Sequence, residues 1–347
     1  MNCFKLHQPP LDSEHHPLEI KRGRKLRKSI KNVLCFASLL LFTTILLNVI
    51  YDKYISNEQL DIRYSVFRTL PLRTYSRIQG YACKIYVPWP LNIPVLGVVQ
   101  KVLRISLKDA ERESIGEYTS VNDLFTRKIK KSSRAIGEGI VSPADGTIIY
   151  AGHAADSIKC QIKGVNYKIE ELLLNNGVLS NVKKENDLFQ VVIYLAPYDY
   201  HRFHSFYDFT LTSVIHVSSL LFSVGNLPMK YFPGLLSKNE RVIFSGFYEH
   251  GQCHTIAVGS VGVGSISTSV AKFRTNKVLY MRSRPVEVFK QYYEYAKGDE
   301  LGHFNLGSTI VCVFEAPKDF TLHKTKGAVK MGETLGTWKP VKTSNPA

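Results

Sequence analysis

The chain has 347 residues, 44% of them hydrophobic and 21% charged, with no repeat or low-complexity tract. That is the composition of a globular protein, long enough for one large domain or two ordinary ones. Its net charge of +16 calls for an anionic partner: nucleic acid, a phosphate-bearing substrate or a membrane surface. The six cysteines (Cys3, Cys35, Cys83, Cys160, Cys253 and Cys312) are scattered without a CxxC pair, which argues against a zinc site or a disulfide framework.

Residues 1–20 are polar, contain Pro9, Pro10 and Pro17, and predict little fixed structure. A mitochondrial presequence is poor in acids, so Asp12, Glu14 and Glu19 stand against one. The basic run that follows, from Lys21 to Lys31, partly restores it. Val33 to Ile50 carries no charged residue; at helical rise its length is about 27 Å, close to the hydrocarbon thickness of a bilayer. We read residues 1–32 as a basic N-terminal segment and 33–50 as a single-pass transmembrane anchor. The positive-inside rule then sends the rest of the chain across.

Residues 51–110 predict interfacial or linker helices. Arg63 to Val87 mixes Val66, Phe67, Leu70, Ile78, Tyr81 and Ile85 with Arg63, Arg68, Arg73, Arg77 and Lys84, a composition suited to a membrane interface. Pro71 divides it into two pieces and Pro88-Trp89-Pro90 ends it. A further apolar segment, Ile93 to Val99, follows, and Ser120 to Arg127 looks like a capped short helix. Residues 111–347 predict the catalytic domain. From Ile140 the texture is short strands: Gly146–Tyr150, Gln190–Leu195, Leu211–Val217, Val242–Tyr248, Thr255–Val263, Ile310–Phe314 and Ala328–Met331. Only Ile169 to Asn175 and Pro285 to Tyr295 look helical. The expectation is an α+β chain whose catalytic part is a β-rich sandwich or barrel-like domain, not a doubly wound parallel sheet.

Three stretches can carry chemistry. Ser142-Pro143-Ala144-Asp145-Gly146 sets an acid in a turn before a strand, where a plain turn aspartate is also at home. In Tyr200-His201-Arg202-Phe203-His204, the histidines are open to three readings: metal ligands without a matching third, acid/base groups, or surface histidines. Leu306-Gly307-Ser308-Thr309 leads into the Ile310–Phe314 strand; it is either a strand-entry turn or a serine poised beside the glycine carbonyl. His250, Cys253 and His254 lie at a predicted hairpin and are read as structural. Gly259, Gly262 and Gly264 lack the order of a nucleotide-binding loop.

Taken together, Ser142–Gly146, Tyr200–His204 and Leu306–Thr309 resemble the three signature blocks of phosphatidylserine decarboxylases of the bacterial and mitochondrial LGST type. Asp123-Leu124-Phe125-Thr126-Arg127, Leu221-Phe222-Ser223-Val224 and Asn239-Glu240-Arg241-Val242 resemble further family segments, in family order, over about residues 60 to 340. The resemblance implies a proenzyme that cleaves itself between Gly307 and Ser308, leaving a β chain, 1–307, and an α chain, 308–347, that begins with a pyruvoyl group made from Ser308. It implies His204 as the base, oriented by Asp145, and His201 as the residue of the decarboxylation step. The pyruvoyl carbonyl would condense with the serine amine of phosphatidylserine and accept the electrons released as CO2 departs, giving phosphatidylethanolamine. The expected partners are phosphatidylserine and the membrane, with no nucleic acid, and a homodimer is left open. The expected location is the mitochondrial inner membrane, with the catalytic domain in the intermembrane space. An endomembrane is the alternative, and a membrane-anchored serine hydrolase or a non-enzymatic tethered β-domain are the competing functions.

Overall fold

The computed structural model describes residues 70–154, 168–175, 178–224, 234–262, 265–270, 275–276, 286–305 and 307–338. The expected anchor at 33–50 and the basic segment 1–32 lie outside these residues. Among the described residues no helix is long and apolar enough to cross a membrane. All the elements below belong to one compact unit, Pro71–Ala347.

Two helices come first: α1, Leu72–Cys83, and α2, Asn92–Leu103. Pro71 occupies the N-cap position of α1, and the Pro88–Pro90 segment separates the two helices, as the proline spacing predicts. The short helix α3, Val121–Phe125, starts at Ser120, whose hydroxyl accepts the Asp123 N–H at 3.0 Å and so satisfies one orphan donor of the first turn. Leu96, Leu107, Tyr118, Leu124 and Phe125 form a small core of their own around α2 and α3.

The strands follow in chain order: β1, Ile140–Val141; β2, Gly146–His153; β3, Asn186–Leu195; β4, Arg202–His204; β5, Phe209–Val217; β6, Arg241–Tyr248; and β7, Gly251–Gly259. The remainder are β8, Ile266–Thr268; β9, Val286–Tyr295; β10, Glu300–Phe304; β11, Ser308–Pro317; β12, Thr321–Leu322; β13, Gly327–Val329; and β14, Thr334–Thr337. Helices α4, Ile169–Leu173, and α5, Leu235–Lys238, are single turns between them. Eight strands form one antiparallel sheet in the order β13-β2-β3-β11-β7-β6-β5-β9. Two three-stranded sheets, β1-β14-β12 and β4-β10-β8, pack on it through a common core. Phe203, Ile266, Leu301 and Phe304 of the second small sheet share that core with Ile193, Leu195, Phe244, Ile310 and Phe314. The sheet-rich class expected from the short apolar runs is therefore observed.

The helix expected over Pro285 to Tyr295 is instead β9, paired along its length with β5 from Val217↔Val286 to Phe209↔Tyr295. β-branched and aromatic residues dominate Val286-Glu287-Val288-Phe289-Lys290-Gln291-Tyr292-Tyr293, and these fit a pleated, half-buried surface better than a helix. Val288 and Tyr292 are exposed there, as an edge strand permits. His250 does lie in the β6–β7 hairpin, where Tyr248 pairs with Gly251.

Candidate active site

Strand β11 holds the centre of the large sheet, with β3 on one side and β7 on the other. Ser308 opens it, paired with Leu195 and with Gly259, and Thr309 is paired with Tyr194 and Val258. A central strand this apolar (Ile310, Val311, Cys312, Val313 and Phe314 are all buried) holds its register firmly. Gly307, just before it, has φ +42, a left-handed conformation that glycine adopts without a Cβ penalty. The turn to which the expected cleavage bond belongs is thus special in its backbone.

Next to β3 lies β2, with Thr147 opposite Tyr194. Gly146 is required at its start, because a Cβ there would lie 2.5 Å from the Tyr194 carbonyl oxygen. This close approach sets Asp145 at the same end of the sheet as Ser308, with only β3 between their strands. The Asp145 carboxylate is buried. Arg134 donates to it twice, Nε to Oδ1 at 3.1 Å and Nη2 to Oδ2 at 2.6 Å, and Lys330 Nζ and the Met331 N–H add bonds of 3.1 and 2.8 Å. Burial alone would raise the Asp145 pKa, but the Arg134 guanidinium, the Met331 N–H and Lys330 outweigh it and hold the carboxyl below the usual aspartate range.

The histidines arrive on β4, which pairs with β10 immediately before the Leu306–Thr309 block. His201, just ahead of β4, accepts the Phe304 N–H on its carbonyl at 2.9 Å, while His204 at the far end lies opposite Glu300. Three residues of strand, roughly 10 Å, therefore separate the two along β10, and His201 is at the end nearer Gly307. The two rings also differ chemically. His204 Nδ1 lies 2.8 Å from the Gly298 carbonyl, which can only accept, so that nitrogen carries the proton; Nε2 is then the acceptor for the Tyr200 hydroxyl at 3.1 Å. Both nitrogens of His204 are engaged. The Asp145–His204 hydrogen bond expected from the resemblance is not made, because Arg134 occupies the carboxylate and Gly298 the ring.

His201 donates from Nδ1 to the Asp199 carbonyl at 2.9 Å, which leaves Nε2 as a bare lone pair, buried and without a partner. Its ring is fully buried and lies 4.0 Å from the Phe125 ring, centroid to centroid. Burial pushes the His201 pKa down to about 3 and also lowers that of His204, so both imidazoles are neutral near pH 7; Asp145 works in the opposite direction on each. Arg127 Nη1 is a further buried polar atom without a partner on this loop; the Thr309 hydroxyl is another, on the face of β11 opposite Ile310. Arg127 Nη2 donates to the Tyr198 and Asp199 carbonyls at 3.0 and 3.3 Å, and Arg202 Nε donates to the Thr126 carbonyl at 3.0 Å. The Asp123–Arg127 segment is thereby the clamp that holds the His201 loop.

The structure sets the Ser142–Gly146 block against β4, where the His204 N–H bonds the Pro143 carbonyl at 2.8 Å, and β10 runs from opposite His204 past His201 to the turn before Ser308. The structure adds Arg134, Phe125 and Arg127, which sequence reasoning gave no role. A matched family segment marked the last two; Arg134 is one of several basic residues between Arg127 and Arg134 and carried no signal of its own. The other matched segments brace the floor. Asn239 Nδ2 donates to the Phe222 and Gly259 carbonyls at 2.8 and 2.9 Å, and the Gly259 N–H bonds the Glu240 carbonyl at 2.8 Å; this fixes the residue that pairs with Ser308. Among the described residues, no cluster of His, Cys, Asp or Glu is arranged to hold a metal ion.

Comparison with known proteins gives the family. The sequence profile of the phosphatidylserine decarboxylase family matches residues 121–337. The chain is 32% identical over 302 residues to the mitochondrial phosphatidylserine decarboxylase proenzyme of Cricetulus griseus, covering 79% of this chain and 73% of the relative. It is 30% identical over 364 residues to the mitochondrial proenzyme 1 of Schizosaccharomyces pombe, covering 80% and 83%. It is 33% identical over 289 residues to the proenzyme of the bacterium Psychrobacter cryohalolentis, covering 79% and 99%.

Proposed function

We propose, for a chain that belongs to the phosphatidylserine decarboxylase family, that it converts phosphatidylserine to phosphatidylethanolamine and CO2 with a pyruvoyl group made from its own Ser308. One observation carries this reading: a glycine in the left-handed region joined to the first residue of the central strand, just past the end of β10 at which His201 keeps a buried, unpartnered lone pair. A buried ring nitrogen without a partner, Nε2 of His201, is unusual in a folded interior. A reacting centre that offers a donor would complete it, so the residues fit the group.

In the self-cleavage we assign, the Ser308 oxygen attacks the Gly307 carbonyl carbon, and the acyl group passes from nitrogen to oxygen. Loss of the Ser308 α-proton and departure of the Gly307 carboxylate leave an unsaturated residue, which takes up one water and releases ammonia. Atoms balance with no oxidant or reductant. A neutral serine needs a base beside it. The free Nε2 of His201 supports that residue in the role, with Nδ1 and the ring held by Asp199 and Phe125. His204, saturated by Tyr200 and Gly298, is supported as a positioning residue of the same loop. Asp145 favours the charged form of both imidazoles and so stabilises the imidazolium that proton transfer creates. The pyruvoyl carbonyl, once present, supplies the sink for the electron pair released with CO2. His201 then holds the proton that the reacting carbon must receive.

A diacyl substrate requires access from a bilayer. Ile78, Tyr81 and Ile85 on and after α1, Trp89 and Leu91 between the helices, and Val98 and Val102 on α2 are all exposed, a concentration of large apolar side chains on two neighbouring elements. This supports docking of α1 and α2 at the membrane interface. The mitochondrial names of the hamster and yeast relatives support a mitochondrial location.

The test is intact-mass analysis after denaturing electrophoresis. Two chains are expected, 1–307 and a 308–347 chain that begins with a keto group in place of serine, and Ser308→Ala is expected to stay a single chain of 39.3 kDa. Folded wild-type protein that remains uncut, or an α chain with an intact N-terminal serine, would sink the pyruvoyl reading.

A further inference from the structure

A small pocket of about 120 Å³ opens between α1 and the loop that surrounds β8, lined by Ser76, Arg77, Lys84, Ser265, Thr275 and Asn276 among others. Ser76 and Lys84 are eight residues apart on and just past α1, two steps of the i, i+4 spacing that lines up one helix face. Gly80 lies between them and brings no side chain.

Three hydroxyls in this pocket share one pattern. Ser76 Oγ accepts the Gly262 N–H at 3.1 Å, Ser265 Oγ accepts the Asn305 side-chain amide at 2.8 Å, and Thr275 Oγ1 accepts the Ile266 N–H at 3.0 Å. With an incoming N–H on each oxygen, the hydroxyl proton is the part left to donate. Arg77 is fixed at the wall by Nε to the Asn276 carbonyl at 2.7 Å. Lys84 is exposed at the rim. Two cations and three hydroxyl donors, with no carboxylate among the lining residues, are the chemistry of a site for an oxyanion. One acceptor stands beside them. Asn276 Oδ1 is buried without a partner, while its amide nitrogen is committed to the Arg73 carbonyl at 3.3 Å.

The pocket also adjoins the strand end that leads to Gly307. Asn305 reaches it through both its backbone and its side chain, since its N–H bonds the Ser265 carbonyl at 3.0 Å. Asn305 is two residues from Gly307, at most about 7 Å of chain. Its other wall is α1, whose Tyr75, Ile78 and Tyr81 are exposed apolar residues of the docking surface.

We propose that this pocket is the subsite for the head-group phosphate of the lipid, with Arg77 and Lys84 as its charged ligands and Ser76, Ser265 and Thr275 as its neutral donors. The phosphate diester is anchored there while the serine end of the head group extends past Asn305 toward position 308. This assignment rests on the phosphatidylserine reading above. It makes Arg77 and Lys84 binding residues that act on KM and leave the chemical step alone.

The experiment uses the self-cleaved, full-length protein and dihexanoyl phosphatidylserine below its micelle concentration, so that no charged surface contributes. Arg77→Gln/Lys84→Gln is expected to cleave itself fully and to show a KM raised at least tenfold with kcat within threefold, the pattern of lost uniform binding. Lys101→Gln, an exposed lysine on α2 outside the pocket, serves as the control and should leave KM unchanged. Glycerophosphoserine should compete with substrate in the wild type and several-fold more weakly in the double variant, whereas equimolar inorganic phosphate should compete less than glycerophosphoserine. An unchanged KM in the double variant, an equal rise in Lys101→Gln, or inorganic phosphate competing as well as glycerophosphoserine would each overturn the assignment, the last in favour of a free-phosphate site. Failure of the underlying reading looks different: the wild type itself would stay uncut or release no CO2.

Discussion

Replacing Arg134 with glutamine should destabilise the fold chiefly through Asp145. The two side chains are 8% and 2% exposed and joined by two hydrogen bonds. Removing one partner of a buried ion pair costs about 3–5 kcal/mol, because the other charge stays behind uncompensated. Lys330 still reaches Asp145, but its side chain is 60% exposed and screened, and the Met331 N–H remains; the low end, about 3 kcal/mol at pH 7, is therefore expected. For a domain of this size that is a fall in Tm of roughly 6–12 °C. The pH dependence has a definite sign. The folded Asp145 pKa is lowered, so its stabilising contribution is present above the unfolded value, about 3.9, and is lost as pH falls through the lower folded value. In the variant, burial acts without the guanidinium and raises the carboxyl pKa, so the acid protonates sooner and sheds the unpaired charge. The stability difference should thus shrink steadily from pH 7 to pH 3. Urea unfolding of Ser308→Ala and of Arg134→Gln/Ser308→Ala, both single uncut chains, at pH 7, 5 and 3 measures it. A difference below about 1 kcal/mol at pH 7, or one that does not narrow toward pH 3, would refute the reasoning.

Gly307→Ala, tested in the same Ser308→Ala background, should cost about 1–2 kcal/mol, the penalty of a left-handed Cβ. A clash adds nothing, since the nearest outside atom to an added Cβ is 3.8 Å away on Ser260; unchanged stability would mean that the turn is not held left-handed. His201, with its pKa pushed down to about 3 by burial, should keep the ring nitrogen shifts of a neutral imidazole in NMR at pH 5, and a protonated ring at pH 6 would contradict the buried site.

Several features of the site were legible in residue order alone. The Gly146 start of β2, the apolar run of β11 and the proline punctuation around α1 follow from local rules: close approach, continuous hydrophobicity and the missing N–H of proline. The three blocks that contain Asp145, His201 and Gly307-Ser308 were recognisable taken together, since each alone is equally at home as an ordinary turn or loop. Which ring nitrogens the two histidines keep free was not legible. His201 and His204 are three apart in the same short segment, and the resemblance assigned the base to the second. Strand pairing with β10 and the partners of each ring nitrogen distinguish them, and neither is a property of local sequence. Val286–Tyr295 shows the same limit from another side: its residues pass for a helix until the free edge of β5 gives them a strand to pair with.

By itself, then, the sequence determined the family and the strand-rich class, because these depend on residue identity, spacing and periodicity. Tertiary structure alone decided that Asp145 is held by Arg134, that His201 rather than His204 keeps a free lone pair, and that Ser76, Arg77 and Lys84 meet Ser265 and Thr275 around one small pocket. Those contacts join residues from 11 to nearly 200 positions apart. Whether a buried nitrogen, oxygen or charge is satisfied depends on which distant groups the sheets bring to it.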